Sequence, residues 1–197
     1  MAVKKTGASA VKNIKPSYIV ATVYSGGTGE TDGNPKGDTY ILEDVVEDTV
    51  SISQDDNETT DIECETSDSP IVSIVKLGKW QVSAEVGDTQ ADLLEGLCGF
   101  KVDATGKKSY APSLYKKMYV KFDVVFEDAD GSMKAFVVPK LQLNSKVTIE
   151  SLNSNLGRIT LAGTAQNISV TVGSGESAET FKTAFYTDDN YTLPTGA

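Results

Sequence analysis

A chain of 197 residues with 28 acidic against 18 basic side chains is, at a net charge of −10, too negative for a module that grips nucleic acid or an anionic membrane surface. Its length suits one core, and no stretch reaches the roughly 18 consecutive apolar residues that span a bilayer. Histidine is absent, which removes Ser-His-Asp and Cys-His nucleophilic sites and the usual zinc sites.

The first 15 residues hold Lys4, Lys5, Lys12 and Lys15 with no apolar periodicity and no apolar core of a secretory signal. They read as a mobile or partner-bound arm, ahead of a single domain over 16–197 folded in a cytoplasm. Tyr18 to Tyr24 is β-branched and aromatic, a first strand, and SGGTGETDGNPKGD after it is a long glycine-rich loop, either a loose tip or a segment that orders on a partner. Thr39 to Ser53 is strand material with acid on both faces, one strand or a bent pair at an edge. QDDNETT is a turn, and alternation resumes over Asp61 to Thr66 and in a short run from Ile71 to Val75.

The clearest unit is KWQVSAEVGDTQADLLEGLCG, 79 to 99. Trp80, Val82, Ala84 and Val86 alternate with Lys79, Gln81, Ser83 and Glu85, the period of a half-buried strand. A helix follows, with Thr89 as its expected cap, Gly99 as its stop and Gln90, Leu93, Leu94, Leu97 and Cys98 on one side. Beyond it the lysine-rich 101–117 is too broken for a helix. Tyr119 to Glu127 is a strand with Val120, Phe122, Val124 and Phe126 on one face, and DADG turns it into Met133 to Val138. Leu141, Leu143, Val147 and Ile149 alternate with Gln142, Asn144, Lys146, Thr148 and Glu150, with a slip expected near Ser145. Ile159, Leu161, Ile168, Val170 and Val172 continue the pattern, and the stretch from Ala178 is expected to hold a helical turn. The fold class is therefore mainly β, nine or ten strands in a sandwich or open barrel flanked by one helix, with long extended loops.

Motifs that carry chemistry fail on inspection. Gly26, Gly27 and Gly29 lack the spacing of a phosphate-binding loop, Gly106-Lys107 is followed by Lys108 where Ser or Thr is needed, and DDNETTDIE lacks the glycine of a calcium loop. Carboxylate pairs exist only because acids are abundant. Cys64 and Cys98 read as free thiols and Trp80 as core. No catalytic residue, metal site or cofactor is assigned, and the protein is read as a non-enzyme.

Charge is segregated instead. Residues 30–68 hold fourteen acids against Lys36, while 101–121 hold six lysines against Asp103. Complementary patches on different faces make head-to-tail contacts, and Asp44, Asp48, Asp55 and Asp56 against Lys107, Lys108, Lys116 and Lys117 are the expected inter-subunit contacts.

LGKWQVSAEVGDTQADLLEGLCGF at 77–100, FEDADGSMKAFVVPKLQLNS at 126–145 and NLGRITLAGTAQ at 155–166 resemble the tail tube (major tail) proteins of bacteriophages, and more distantly the tube proteins of contractile injection systems. The resemblance implies six copies to a ring, rings stacked into a hollow tube in the virion tail, other tail proteins as partners, assembly in the host cytoplasm, no membrane, and DNA passing through unbound. Polar strand faces would then line the lumen, with Lys79, Gln81, Ser83, Glu85, Gln142 and Asn144 as candidates and an acidic bore repelling phosphate. The alternative is a soluble β-sandwich module recognising a carbohydrate or protein surface through 25–37.

Overall fold

The period-two runs fold as strands, and the computed structural model describes residues 16–64, 67–87, 89–106, 108–114, 117–127, 131–148, 157–172 and 178–195, with backbone alone at 63, 64 and 67–71. In chain order they are β1 (Tyr18–Val23), β2 (Thr39–Leu42), β3 (Ser51–Gln54), β4 (Glu58–Cys64), β5 (Ser67–Lys76), β6 (Trp80–Val86), α1 (Ala91–Cys98), β7 (Lys101–Val102), β8 (Ser109–Tyr110), β9 (Met118–Glu127), β10 (Met133–Thr148), β11 (Arg158–Ala165), β12 (Ile168–Val172), β13 (Glu179–Thr183) and β14 (Tyr186–Asp188). The protein is mainly β, with one short helix among the described residues. A large antiparallel sheet runs β2-β1-β9-β10-β11-β6-β3, with β14 beside β10, and β4–β5, β7–β8 and β12–β13 are separate two-stranded sheets.

Thr39 to Ser53 is neither one strand nor a bent pair at one edge, for β2 and β3 end the main sheet on opposite sides. Between them Val45 bridges Val86, Val46 N–H donates to Glu85 O at 2.8 Å and Gly87 N–H to Asp44 O at 2.9 Å. Leu42 in β2 thus lies three residues, roughly 10 Å of extended chain, from a residue paired to β6. Five strand spacings of about 4.8 Å would separate β2 from β6 in a flat sheet. The sheet is rolled, and 39–54 closes the roll.

Inside lie Ile19, Leu42, Val82, Val86, Phe122, Leu141, Ile159 and Leu161, all buried. α1 closes one side with Leu93 and Leu97 buried and Leu94 and Cys98 packed at the margin. Its cap is Gln90 rather than Thr89, and the side chain makes no capping bond to the first turn: the helix begins one residue late, and Leu94 N–H reaches Gln90 O at 3.0 Å. Gly99 ends it at φ 70°, in the left-handed region. Gly96 lies against the Tyr40 hydroxyl, so that a Cβ there would collide with it.

The slip expected at Ser145 does not occur. β10 stays in register with β11 from Leu141 to Thr148, and its irregularity, against β9, falls between Val138 and Leu141. Ser145 keeps an inward position because its hydroxyl donates to Leu97 O, a carbonyl at the helix end that has no partner within the helix. The stretch from Ala178 forms β13 and β14, not a helical turn.

The outer face of β1, β9 and β10 has its own apolar cluster, Val20, Val125, Ala135 and Val137, covered by Tyr191 and Leu193. Asp123, 2% exposed, sits in it. Tyr191 Oη donates to Asp123 Oδ2 at 2.8 Å and Lys121 Nζ lies 3.4 Å from the same oxygen. Burial pushes the Asp123 carboxyl above its ordinary value, against Lys121 and the Tyr191 bond, which pull it down; Asp188 adds to the rise.

Leu97→Ala should cost about 2 to 5 kcal/mol in urea unfolding; a loss near zero would mean that α1 is not part of the core. For Asp123 the folded value lies above the unfolded one of about 3.9. Its contribution to stability is therefore present in full below the unfolded value and lost as pH rises through the folded one. Wild type should gain stability relative to Asp123→Asn on acidification, and parallel stability curves would show that Lys121 and Tyr191 offset burial entirely.

Candidate assembly surfaces

Register places the polar residues of four strands on one outer face. Ser53 pairs with Gln81, Gln81 with Thr164 and Thr164 with Gln142; one step along, Ser51, Ser83, Ala162 and Asn144 form the next row. Glu85, Thr160 and Lys146 form a third. Gln81, Ser83, Glu85, Gln142 and Asn144, singled out from two separate stretches, thus share a surface, and Lys79 lies just before β6 in the same alternation. Thr164 Oγ1 donates to Gln81 Oε1 at 3.0 Å, Gln81 Nε2 to Asp55 Oδ2 at 2.9 Å, and Arg158 faces Glu85 at 3.4 Å. The three rows and the adjoining Arg158 carry one acid and two bases among hydroxyls and amides. The surface is nearly neutral, not acidic.

The predicted charge contacts are dispersed. Asp44 lies beside Gly87 and Asp55 beside Gly78, beyond opposite ends of β6, roughly 30 Å apart at strand rise. Asp56 follows Asp55 in the turn to β4, and Asp48, at φ 61°, sits in the crossing between β2 and β3; all four are exposed. Lys108 and Lys117 are exposed near β8 and at the start of β9, while Lys107 and Lys116, like the arm over 1–15, lie outside the described residues.

The glycine-rich loop is no loose tip. Glu30 accepts from the N–H groups of Ser25 at 2.8 Å, Lys36 at 3.2 Å and Gly26. Partial desolvation raises the Glu30 carboxyl, and these N–H groups outweigh it and hold it below its ordinary value. Gly33 N–H donates to Tyr24 Oη at 2.6 Å, which donates to Pro139 O at 2.7 Å, and Lys140 pairs with Asp32. The loop is therefore fastened to the bulge of β10.

Two features escaped the sequence. The first is the β4–β5 hairpin, whose strands pair only with each other and run through Pro70. Ile62, Val72 and Ile74 stand about half exposed on one face, Val75 is 58% exposed on the other, and Leu77 at its base is 72% exposed. The second is an apolar cavity of about 710 Å³ at one end of the roll, lined by Val46, Ile52, Trp80, Phe126, Phe136 and Phe185 among others, with Glu47 and Asp48 at its acidic side. Trp80 meets Phe185 edge-on at 4.5 Å between ring centres, and Phe126 meets Phe136 at 5.5 Å. Exposed Ile and Val in 62–75 could have signalled the hairpin. Nothing local could have joined Trp80 and Phe185 to the Phe126 and Phe136 of the β9–β10 hairpin.

No protein-family model matches the chain, and no curated protein matches it. Among solved structures it is similar to a chain in the cryo-EM structure of the anti-feeding prophage baseplate, six-fold symmetrised, at 6% identity and a TM-score of 0.41, over 93% of this chain and 100% of that one.

Proposed function

We propose that the protein is a structural subunit that assembles with copies of itself into rings stacked as a hollow tail tube, the conduit for DNA. The observation that carries this is the β4–β5 hairpin. A two-stranded hairpin is marginal alone in water, and this one exposes β-branched residues on both faces with no cover from the other described residues. Another chain is the natural cover. The resemblance of 77–100, 126–145 and 155–166 to tail tube proteins supplies the class, the ring of six and the stacking.

In this reading the face bearing Gln81, Ser83, Glu85, Gln142 and Asn144 is the lumen wall. Hydroxyls and amides with nearly balanced charge offer phosphate neither a basic grip nor strong repulsion, so DNA slides past. In the same reading the acids of 43–56 meet basic segments of neighbours, and assembly weakens as salt screens those pairs over about 10 Å at 0.1 M.

Negative-stain electron microscopy of the concentrated protein should show rings or tubes of uniform width. The double change Ile74→Asp/Val75→Asp should leave the monomer's circular dichroism and melting intact while raising the concentration needed for assembly by roughly tenfold or more. Small monodisperse particles at every concentration would sink the proposal in favour of a β-sandwich binding module. Tubes from the double variant at wild-type concentrations would remove the hairpin from the contact.

A further inference from the structure

The aromatic cavity and the loop around Leu114 lie at opposite ends of the same strand. The cavity is walled by Val124 and Phe126 of β9 and Phe136 of β10. Leu114 stands by Met118, Leu143 and the end of α1. From Met118 to Phe126 the strand rises roughly 26 Å.

The two ends are complementary. One is a recess of about 710 Å³, deep enough for a large apolar side chain, with Glu47 and Asp48 at its acidic side. The other is a projection on which Leu114 is 82% and Tyr110 57% exposed, flanked by the exposed Lys108 and Lys117. A leucine that exposed gains little from the described residues around it, and an open aromatic recess loses contacts that a side chain would restore. The β9 rise keeps the projection from its own recess.

We infer that the loop carrying Leu114 seats in the aromatic cavity of a second copy, with Lys108 and Lys117 toward the acids at its mouth. Such a contact joins different faces of identical chains. Repeated in one direction, it closes into a ring or continues as a filament. An apolar anchor in a desolvated pocket with charges around it is the arrangement in which a few residues dominate affinity. The inference rests on the self-assembly proposed above and names the side chains that carry one of its contacts.

Trp80 is the single tryptophan of the chain and lines the cavity, so its fluorescence reports on the occupant. In the wild-type protein its emission should shift to the blue, and acrylamide quenching should fall, over the concentration range in which sedimentation shows assembly. Leu114→Asp, at a site exposed enough to leave folding intact, should abolish the shift and raise the assembly concentration roughly tenfold or more, while Leu114→Met should behave as wild type. Assembly with unchanged Trp80 emission, or by Leu114→Asp at wild-type concentration, would overturn the inference and leave the tube proposal standing. A concentration-independent Trp80 environment that changes when 1–15 are deleted would overturn it by identifying the chain's own arm as the occupant. A wild-type protein monomeric at every concentration would overturn both.

Discussion

The rolled sheet depends on one crossing. An antiparallel sheet with an apolar inner face must cover that face and protect two rows of unpaired edge groups. Here a single segment, 39–54, pairs with β1 at its start and β6 at its end, and so bends the sheet over its own core. Other features follow from it. Tyr40 sets the close approach of α1 at Gly96, and the turn at Asp48 builds one side of the aromatic recess. The same crossing carries acid to the outside of the closure, where no core residue has to tolerate it.

The middle of the sheet solves a different problem. β1, β9 and β10 are apolar on both sides, facing the roll interior on one and the Tyr191 cover on the other. Strands covered twice read as continuous apolar runs, and IVA in β1 and FVVP in β10 do so. Asp123 interrupts that pattern in β9 and is held by groups from two segments, Lys121 on its own strand and Tyr191 in the C-terminal cover. The strands toward β3 need no second cover and carry hydroxyls and amides outside. The division between a twice-buried half and a half-wet half is the physical basis for the proposal that one face is the lumen wall.

Much of this was legible in the sequence where a short window holds the whole cause. Alternation placed β6 and β9, and the Gly99 stop and leucine stripe placed α1, because burial on one face acts residue by residue. The outward alternation of Gln81, Ser83 and Glu85, and separately of Gln142 and Asn144, was legible for the same reason; that the two sets share one face across β11 was not. Failures came where a distant partner decides. Ser145 looked like a break because its acceptor, Leu97 O, lies 48 residues away. Thr39 to Ser53 looked like one edge because pairing with two different strands leaves no local trace. The stretch after Ala178 has the composition of a turn, and is strand only because β12 and β10 offer it partners. The recess is the extreme case, assembled from residues 16 to 185.

The same long-range pairing governs how the chain is made. β1 has β2 for one neighbour, but its other neighbour is β9, with Tyr18 opposite Val125. A strand waiting for a partner roughly 100 residues downstream is exposed for about 5 to 20 s of synthesis at ordinary rates. Closure is therefore a late event, reached after the local hairpins β4–β5 and β9–β10 have formed, and a fold of this contact pattern is slow to complete. Until β9 and then β11 leave the ribosome, the nascent N-terminal half presents open edges of β1 and β6, and that interval is when a chaperone has most to protect.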